Sequence, residues 1–509
     1  MINKEKQLKK TINICCLFLI CIVVYKYIQR IWYEGRSFMS AFLAFDFGAS
    51  SGRAVISRIE NGKMDMEEIY RFPNEPVFLG DKYIWDFPRL LSEMKVALKK
   101  VSLLNEKIEG IGIDTWGVDY GLLDEDNNLI GLPMCYRDKR NYGALEKTKK
   151  IIDLESIYLR TGIAPSEINT CIQLVADGMM RKEVIKNSKN LLFMPDLFAY
   201  YLTGEKKNEF TISSTSGLLD MEKREWNYKL IEELNIPQGI FNDIIEPGEI
   251  YGYLTEDIME ETGLDKIPVI AIGGHDTASA IAATPFQYKK NAFLSSGTWS
   301  LLGIELDNPI INNDTMNYKF TNEGGVNNKI RLLKNINGLW LLQQLKKNWC
   351  EFNEKIDFPD IINEARKYED CTFKVDTNDP TFMNTKNMIH AIKDYCIKKG
   401  QGEPKKLGEI AMAVYNGLTS EYSETIKELE KVLGTEIEAI NVVGGGIKDK
   451  FLCELTSKRT RKKVIAGPVE AAVLGNVMVQ AISLNKIKSI KEGRELIFKY
   501  FECEIYDFN

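Results

Sequence analysis

Four stretches of this 509-residue chain concentrate groups suited to phosphate chemistry. In DFGASSGR (46–53), Asp46 ends an apolar run and Gly48, Ser50, Ser51 and Gly52 follow, with Arg53 behind them. Polyphosphate needs backbone N–H and hydroxyl donors with little bulk, which a turn of this composition supplies. Arg53 would add positive charge, and Asp46 would hold magnesium through water. SSGTWS (295–300) repeats the design. AIGGHDTAS (271–279) sets Asp276 at the mouth of a small-residue helix. There it is either a cap that accepts backbone N–H bonds or the general base that takes a proton from a substrate hydroxyl. In VVGGGIKD (442–449), three consecutive glycines let the backbone lie flat against a nucleotide base or ribose.

Other chemistries are poorly served. No G-x4-G-K-[ST] occurs, and GIGIDTWG (110–117) has the wrong last spacing for a dinucleotide fingerprint and lies within a strand. The net charge is −6 although the first 38 residues are basic, so the body is acidic and ill suited to nucleic acid. Ten cysteines without a CxxC pair suggest reduced thiols. Two histidines exclude a His-rich metal centre, leaving oxygen ligands and hence magnesium.

The elements that must carry these residues alternate between strand and helix. FLAFDFGASSGRAVISRI (42–59) and NAFLSSGTWSLLGIEL (291–306) each read as strand, turn, strand. IEGIGIDTWGVDYGLLD (108–124) predicts a buried strand, a loop and a second strand. Helices are predicted to end at Gly204 and Gly434, and GPVEAAVLGNVMVQAI (467–482) opens another. The class is therefore α/β. Two like hairpins imply a duplicated core, with domains at 42–284 and 285–509 and the boundary near TPFQYKKN (284–291). Residues 1–38 form an extension whose apolar run, Ile12–Tyr25, is short for a bilayer span. It is read as translated leader ahead of a start at Met39, the alternative being a weak membrane anchor. Without that anchor, no stable membrane association and a cytoplasmic location are expected.

The motifs, in this order, resemble the sugar kinases of the FGGY family, which share the duplicated ribonuclease H-like core and cleft of the actin-like ATPases. The similarity runs from about Phe42 to Ala481. IDTWGVDY, YRDKR, HDTASA, LSSGTWSL, TNEGG and KNINGLWLLQ resemble the branch acting on L-rhamnulose. The resemblance implies transfer of phosphate from ATP, with Mg2+, to the 1-hydroxyl of that ketose. It implies that Ala49, Ser50, Ser51, Gly52, Arg53, Thr298, Gln343 and Gly445 bind ATP. Gly117, His275, Asp276, Thr277 and Asn335 would contact the sugar, with Asp276 as base. One departure is Asp449, where the family's adenosine loop has Asn. The alternatives are a kinase for another ketose such as L-fuculose or xylulose, and an actin-like ATPase without kinase activity.

Overall fold

The computed structural model describes residues 40–508 apart from positions 49, 61, 105, 353–355 and 383–384. The leader or anchor expected over 1–38, the start at Met39 and the candidate Ala49 lie outside the described residues.

Strand β1 (Ser40–Phe47) is buried after its first residue, as a near-continuous apolar run requires of a strand covered on both faces. It turns back into β2 (Ser51–Glu60), which pairs antiparallel with β3 (Lys63–Pro73). On the other side of β1 lies β4 (Ile108–Thr115), parallel to it. Strands β5 (Ile250–Tyr253) and β6 (Pro268–Ile270) complete the order β5-β6-β4-β1-β2-β3. The second half repeats this plan. A hairpin of β7 (Asn291–Ser296) and β8 (Trp299–Leu306) is flanked by β9 (Thr321–Gly324) and β10 (Ile330–Asn337). Beyond β7 come β11 (Ala439–Val443), β12 (Lys463–Ala466) and β13 (Glu504–Tyr506), giving β9-β10-β8-β7-β11-β12-β13. In both sheets the hairpin's first strand runs parallel to a later strand.

Helices α1 (Phe87–Ser102) and α2 (Met194–Thr203) cover one face of the first sheet. Period-two alternation sends Leu43, Phe45 and Phe47 into their cluster, with Leu90, Met94 and Phe198. Phe42 and Ala44 point the other way, towards α3 (Asp276–Ala283). On the far side of the second sheet lies α4 (Leu407–Leu433), which ends at Gly434 with φ +64°. Helix α5 (Ala471–Ser483) joins α3 between the two sheets, sharing a core with Phe293, Leu333 and Val443. Such a position demands apolar residues all round, and each fully buried Leu, Val or Met there contributes about 1.5–3 kcal/mol. The two helices touch backbone to backbone: a Cβ on Gly475 would collide with the Ser279 carbonyl. Two polar residues of α5 complete the junction. Asn476 Nδ2 donates to Asp114 Oδ2 (2.6 Å) and Gln480 Nε2 to the Leu43 carbonyl (3.1 Å).

Among the described residues the seven cysteines are free. No helix among them is long and apolar enough to cross a membrane.

Candidate active site

The parallel strands β1 and β4 end side by side, with Asp46 opposite Asp114 in register. In an open α/β sheet ligands bind beyond these carboxyl ends. The equivalent ends of β7 and β11 face them, and a cleft of about 990 Å³ lies between. Its walls include both hairpin turns, the loop after β4 and the first residues of α3.

Asp276 opens the first turn of α3, whose N-cap position is held by His275 with extended backbone. The capping alternative therefore misplaces the carboxylate by one residue. Its Oδ1 accepts from Thr277 N (2.6 Å) and Thr277 Oγ1 (3.2 Å), and about a third of the side chain (32%) is exposed to the cleft. Burial pushes its pKa up, reinforced by the nearby Asp46 charge and opposed by His275. The turn before it is fastened by Glu209, which sequence reasoning missed. That buried carboxylate accepts from Gly274 N (3.1 Å), Thr211 Oγ1 (2.7 Å) and Ile212 N (3.0 Å). A Cβ on Gly274 would lie 2.7 Å from Glu209 Oε2, so only glycine admits this anchor.

Ser50 and Ser51 line the cleft, and Asn74 braces their turn through its Nδ2 bond to the Gly48 carbonyl (2.6 Å). A Cβ on Gly52 would strike the Phe72 ring, so only glycine fits at this end of the turn. Arg53 lines the cleft as well. Its Nη2 pairs with Asp46 Oδ2 (2.8 Å) and its Nη1 with Glu470 just before α5, so its charge is already compensated. Across the cleft, Thr298 lies at the second turn with its hydroxyl 3.4 Å from Gln343 Oε1. Gly444 and Gly446 press against Ser296, whereas a Cβ on Gly445, which lines the cleft, would meet nothing within 4 Å. Asp449 caps the helix Lys450–Thr460 through Leu452 N (3.0 Å) and accepts from Tyr415 Oη (2.6 Å). An aspartate fills that role as well as asparagine.

At the opposite end, Gly117 lies beside His275, with room for a Cβ 3.4 Å from the imidazole Nε2. Its loop is held rigid by Asp119, whose Oδ2 accepts from Trp85 Nε1 (2.7 Å), Trp116 Nε1 (3.0 Å) and Tyr136 N (3.2 Å). Burial raises Asp119 to about 6 despite these donors. The loop carries strain as well: Val118 sits at φ +66°, a conformation that a β-branched residue rarely adopts. Thr277 and Asn335 line the same wall. Glu323 and Arg331, absent from the sequence-derived candidates as individual residues, meet behind His275. Arg331 Nη2 donates to Glu323 Oε2 (3.1 Å) and lies 3.2 Å from His275 Nδ1. TNEGG holds Glu323, but nothing in its spacing connects it with His275.

Comparison with known proteins agrees with this two-sheet architecture. The N-terminal domain of the FGGY family of carbohydrate kinases matches residues 41–282, and its C-terminal domain matches residues 292–484. The chain belongs to the FGGY family of carbohydrate kinases. It is 38% identical over 465 residues to a rhamnulokinase of Bacteroides thetaiotaomicron, covering 91% of this chain and 95% of that one. Identity is also 38% to a rhamnulokinase of Halalkalibacterium halodurans (92% and 99% covered) and 36% to one of Bacillus subtilis (91% and 95%). Among solved structures it superposes on a ligand-bound xylulose kinase from Lactobacillus acidophilus, with a TM-score of 0.76 at 15% identity (92% and 94% covered). It also superposes on a Plasmodium falciparum glycerol kinase with ADP, with a TM-score of 0.73 at 14% identity (92% and 94%). These two likenesses are of fold.

Carbohydrate kinases of this family use ATP, and the donor set here suits its magnesium complex. Among the described residues no group of three or more His, Cys, Asp or Glu could hold a metal unaided. Mg2+ characteristically keeps several waters and takes one or two carboxylates plus substrate phosphates. Asp46 fits that requirement. It lines the cleft, and fully buried Asp114 beside it leaves Oδ1 without a partner among the described residues.

Proposed function

We propose that this FGGY kinase transfers the terminal phosphoryl group of ATP to O1 of L-rhamnulose, giving L-rhamnulose 1-phosphate and ADP. The relatives over nine-tenths of its length are rhamnulokinases. The observation that carries the mechanism is Asp276, exposed at the head of α3 in a cleft walled by both hairpin turns. In this reading Asp276 orients and deprotonates the sugar hydroxyl. Gly117, His275, Thr277 and Asn335 hold the sugar, while Ser50, Ser51, Thr298 and Gly445 hold the nucleotide. Gln343 acts through Thr298. Asp46 would hold the magnesium that accompanies ATP, and the ion would supply charge neutralisation on the polyphosphate. Phosphoryl transfer asks little covalent work of a protein, so alignment and electrostatics account for most of the rate. Residues 42–284 and 285–509 serve as the two lobes that close on the sugar, excluding water that would otherwise consume ATP. The enzyme works in the cytoplasm.

The test is product identification after incubation with Mg-ATP and L-rhamnulose, beside a panel including L-fuculose and xylulose. The expected result is a 1-phosphate with kcat/KM highest for L-rhamnulose. A higher value for another ketose would replace the substrate, and sugar-independent ATP hydrolysis alone would replace the class.

A further inference from the structure

Behind the proposed base lies a charged pair that the reaction as described does not use. Glu323 on β9 and Arg331 on β10 face each other directly across the antiparallel ladder. Both are buried, with side chains 7% and 0% exposed. Desolvating two charges costs several kcal/mol each before their attraction is counted, so such a pair is weak evidence of a purely stabilising purpose. Its geometry is also one-sided. Arg331 Nε donates to the Gly324 carbonyl (2.8 Å), and Nη2 reaches both Glu323 Oε2 (3.1 Å) and His275 Nδ1 (3.2 Å). Guanidinium has donors only. His275 Nδ1 faces this donor at 3.2 Å and the Glu323 Oε2 acceptor at 3.3 Å; because Glu323 already receives a guanidinium proton, an accepting Nδ1 avoids setting donor against donor and places the ring proton on Nε2. That nitrogen lies 3.5 Å from Asp276 Oδ1.

We propose that Arg331 is a positioning residue, which fixes His275 as the Nε2–H tautomer so that the imidazole holds one oxygen of Asp276 and leaves the other for the sugar hydroxyl. Glu323 balances the guanidinium charge, and Thr211 Oγ1 anchors the His275 backbone N–H (3.3 Å). The charged groups in contact with the imidazole are then Asp276 from the first half of the chain, and Glu323 and Arg331 from the second. The two halves are joined beside this contact, because Gly324 N donates to Ser214 Oγ (2.7 Å) and Asn322 N to the Gly162 carbonyl (2.8 Å). Alignment of the base is thereby tied to the docking of β9 and β10 against the other half.

The inference rests on the kinase reading, but its first test needs no turnover. The chain has two histidines, and His390 is exposed, so 15N imidazole NMR of the whole protein resolves each ring. In the parent, His275 should show Nε2 protonated and Nδ1 as acceptor; Nδ1 protonated with Nε2 bare would overturn the proposal. The double variant Arg331→Met with Glu323→Gln removes the guanidinium and its balancing charge together, so no unpaired charge stays buried. It should show mixed tautomers at His275, a kcat reduced about 10- to 100-fold and an unchanged KM for ATP. A folded double variant with the parental tautomer and kcat would sink the assignment. A parent with this tautomer that makes no ketose phosphate would instead refute the functional reading alone.

Discussion

Replacing Asp276 with Asn separates chemistry from scaffolding. Asn keeps an oxygen at the Oδ1 position, so it can still accept from Thr277 N, the shortest bond the carboxylate makes. What it cannot do is accept a proton. A positioned general base contributes about 10²- to 10⁴-fold, equivalent to about 3–5 kcal/mol of transition-state stabilisation at 1.36 kcal/mol per decade. The structural cost is smaller. A charge at a helix N-terminus is worth about 0.3–1 kcal/mol, and here burial already disfavours the ionised form. The Tm should therefore shift by no more than about 4 °C. ADP release coupled to NADH oxidation, at saturating Mg-ATP and L-rhamnulose, reads kcat; calorimetry reads the Tm. Turnover within about tenfold of the parent would refute the base assignment. A large Tm loss accompanying the rate loss would show the carboxylate to be scaffold instead.

Other expectations follow from the same geometry. Gly445→Val should leave the Tm unchanged, because nothing lies within 4 Å of the new Cβ, while raising KM for ATP and sparing KM for the sugar. Gly475→Ala should lose about 1–3 kcal/mol or more in urea denaturation, since the Ser279 carbonyl it strikes is backbone. The pH–kcat profile should fall on its acid side at a midpoint above the ordinary aspartate value of about 3.9. The sign follows from burial, which makes Asp276 hold its proton to higher pH, and the protonated form cannot act as base. A midpoint at or below that value would contradict the environment described for this carboxylate.

Much of the fold was legible because its signals are local. Both hairpins, the strand into the triple glycine and the helix ends at Gly204 and Gly434 depend on residues within a few positions of each other. Asp276 shows how local reading stops short. Its cap and first-turn positions are one residue apart, and boundary residues are where sequence patterns discriminate least. The rest was invisible for another reason. Arg53 looked like a free cation until the fold brought Glu470 to it, and His275 gained Arg331 and Glu323 from strands of the other sheet. Gly52, in the turn expected to bind phosphate, is also limited to glycine by Phe72 on the neighbouring strand.

The backbone contact of α3 with α5 at Gly475 limits how this molecule can move. With no side chain between the helices at that point, there is no cushion to compress and no ridge to step over, so translation of one past the other meets a hard stop. The remaining freedom is a roll about the crossing itself. Because Asp276 begins one of those helices and Glu470 immediately precedes the other, such a roll would move the Glu470 end of the Arg53 bridge and the Asp276 carboxylate together. If the cleft opens as proposed, it would therefore draw the proposed base away from its place in the same movement.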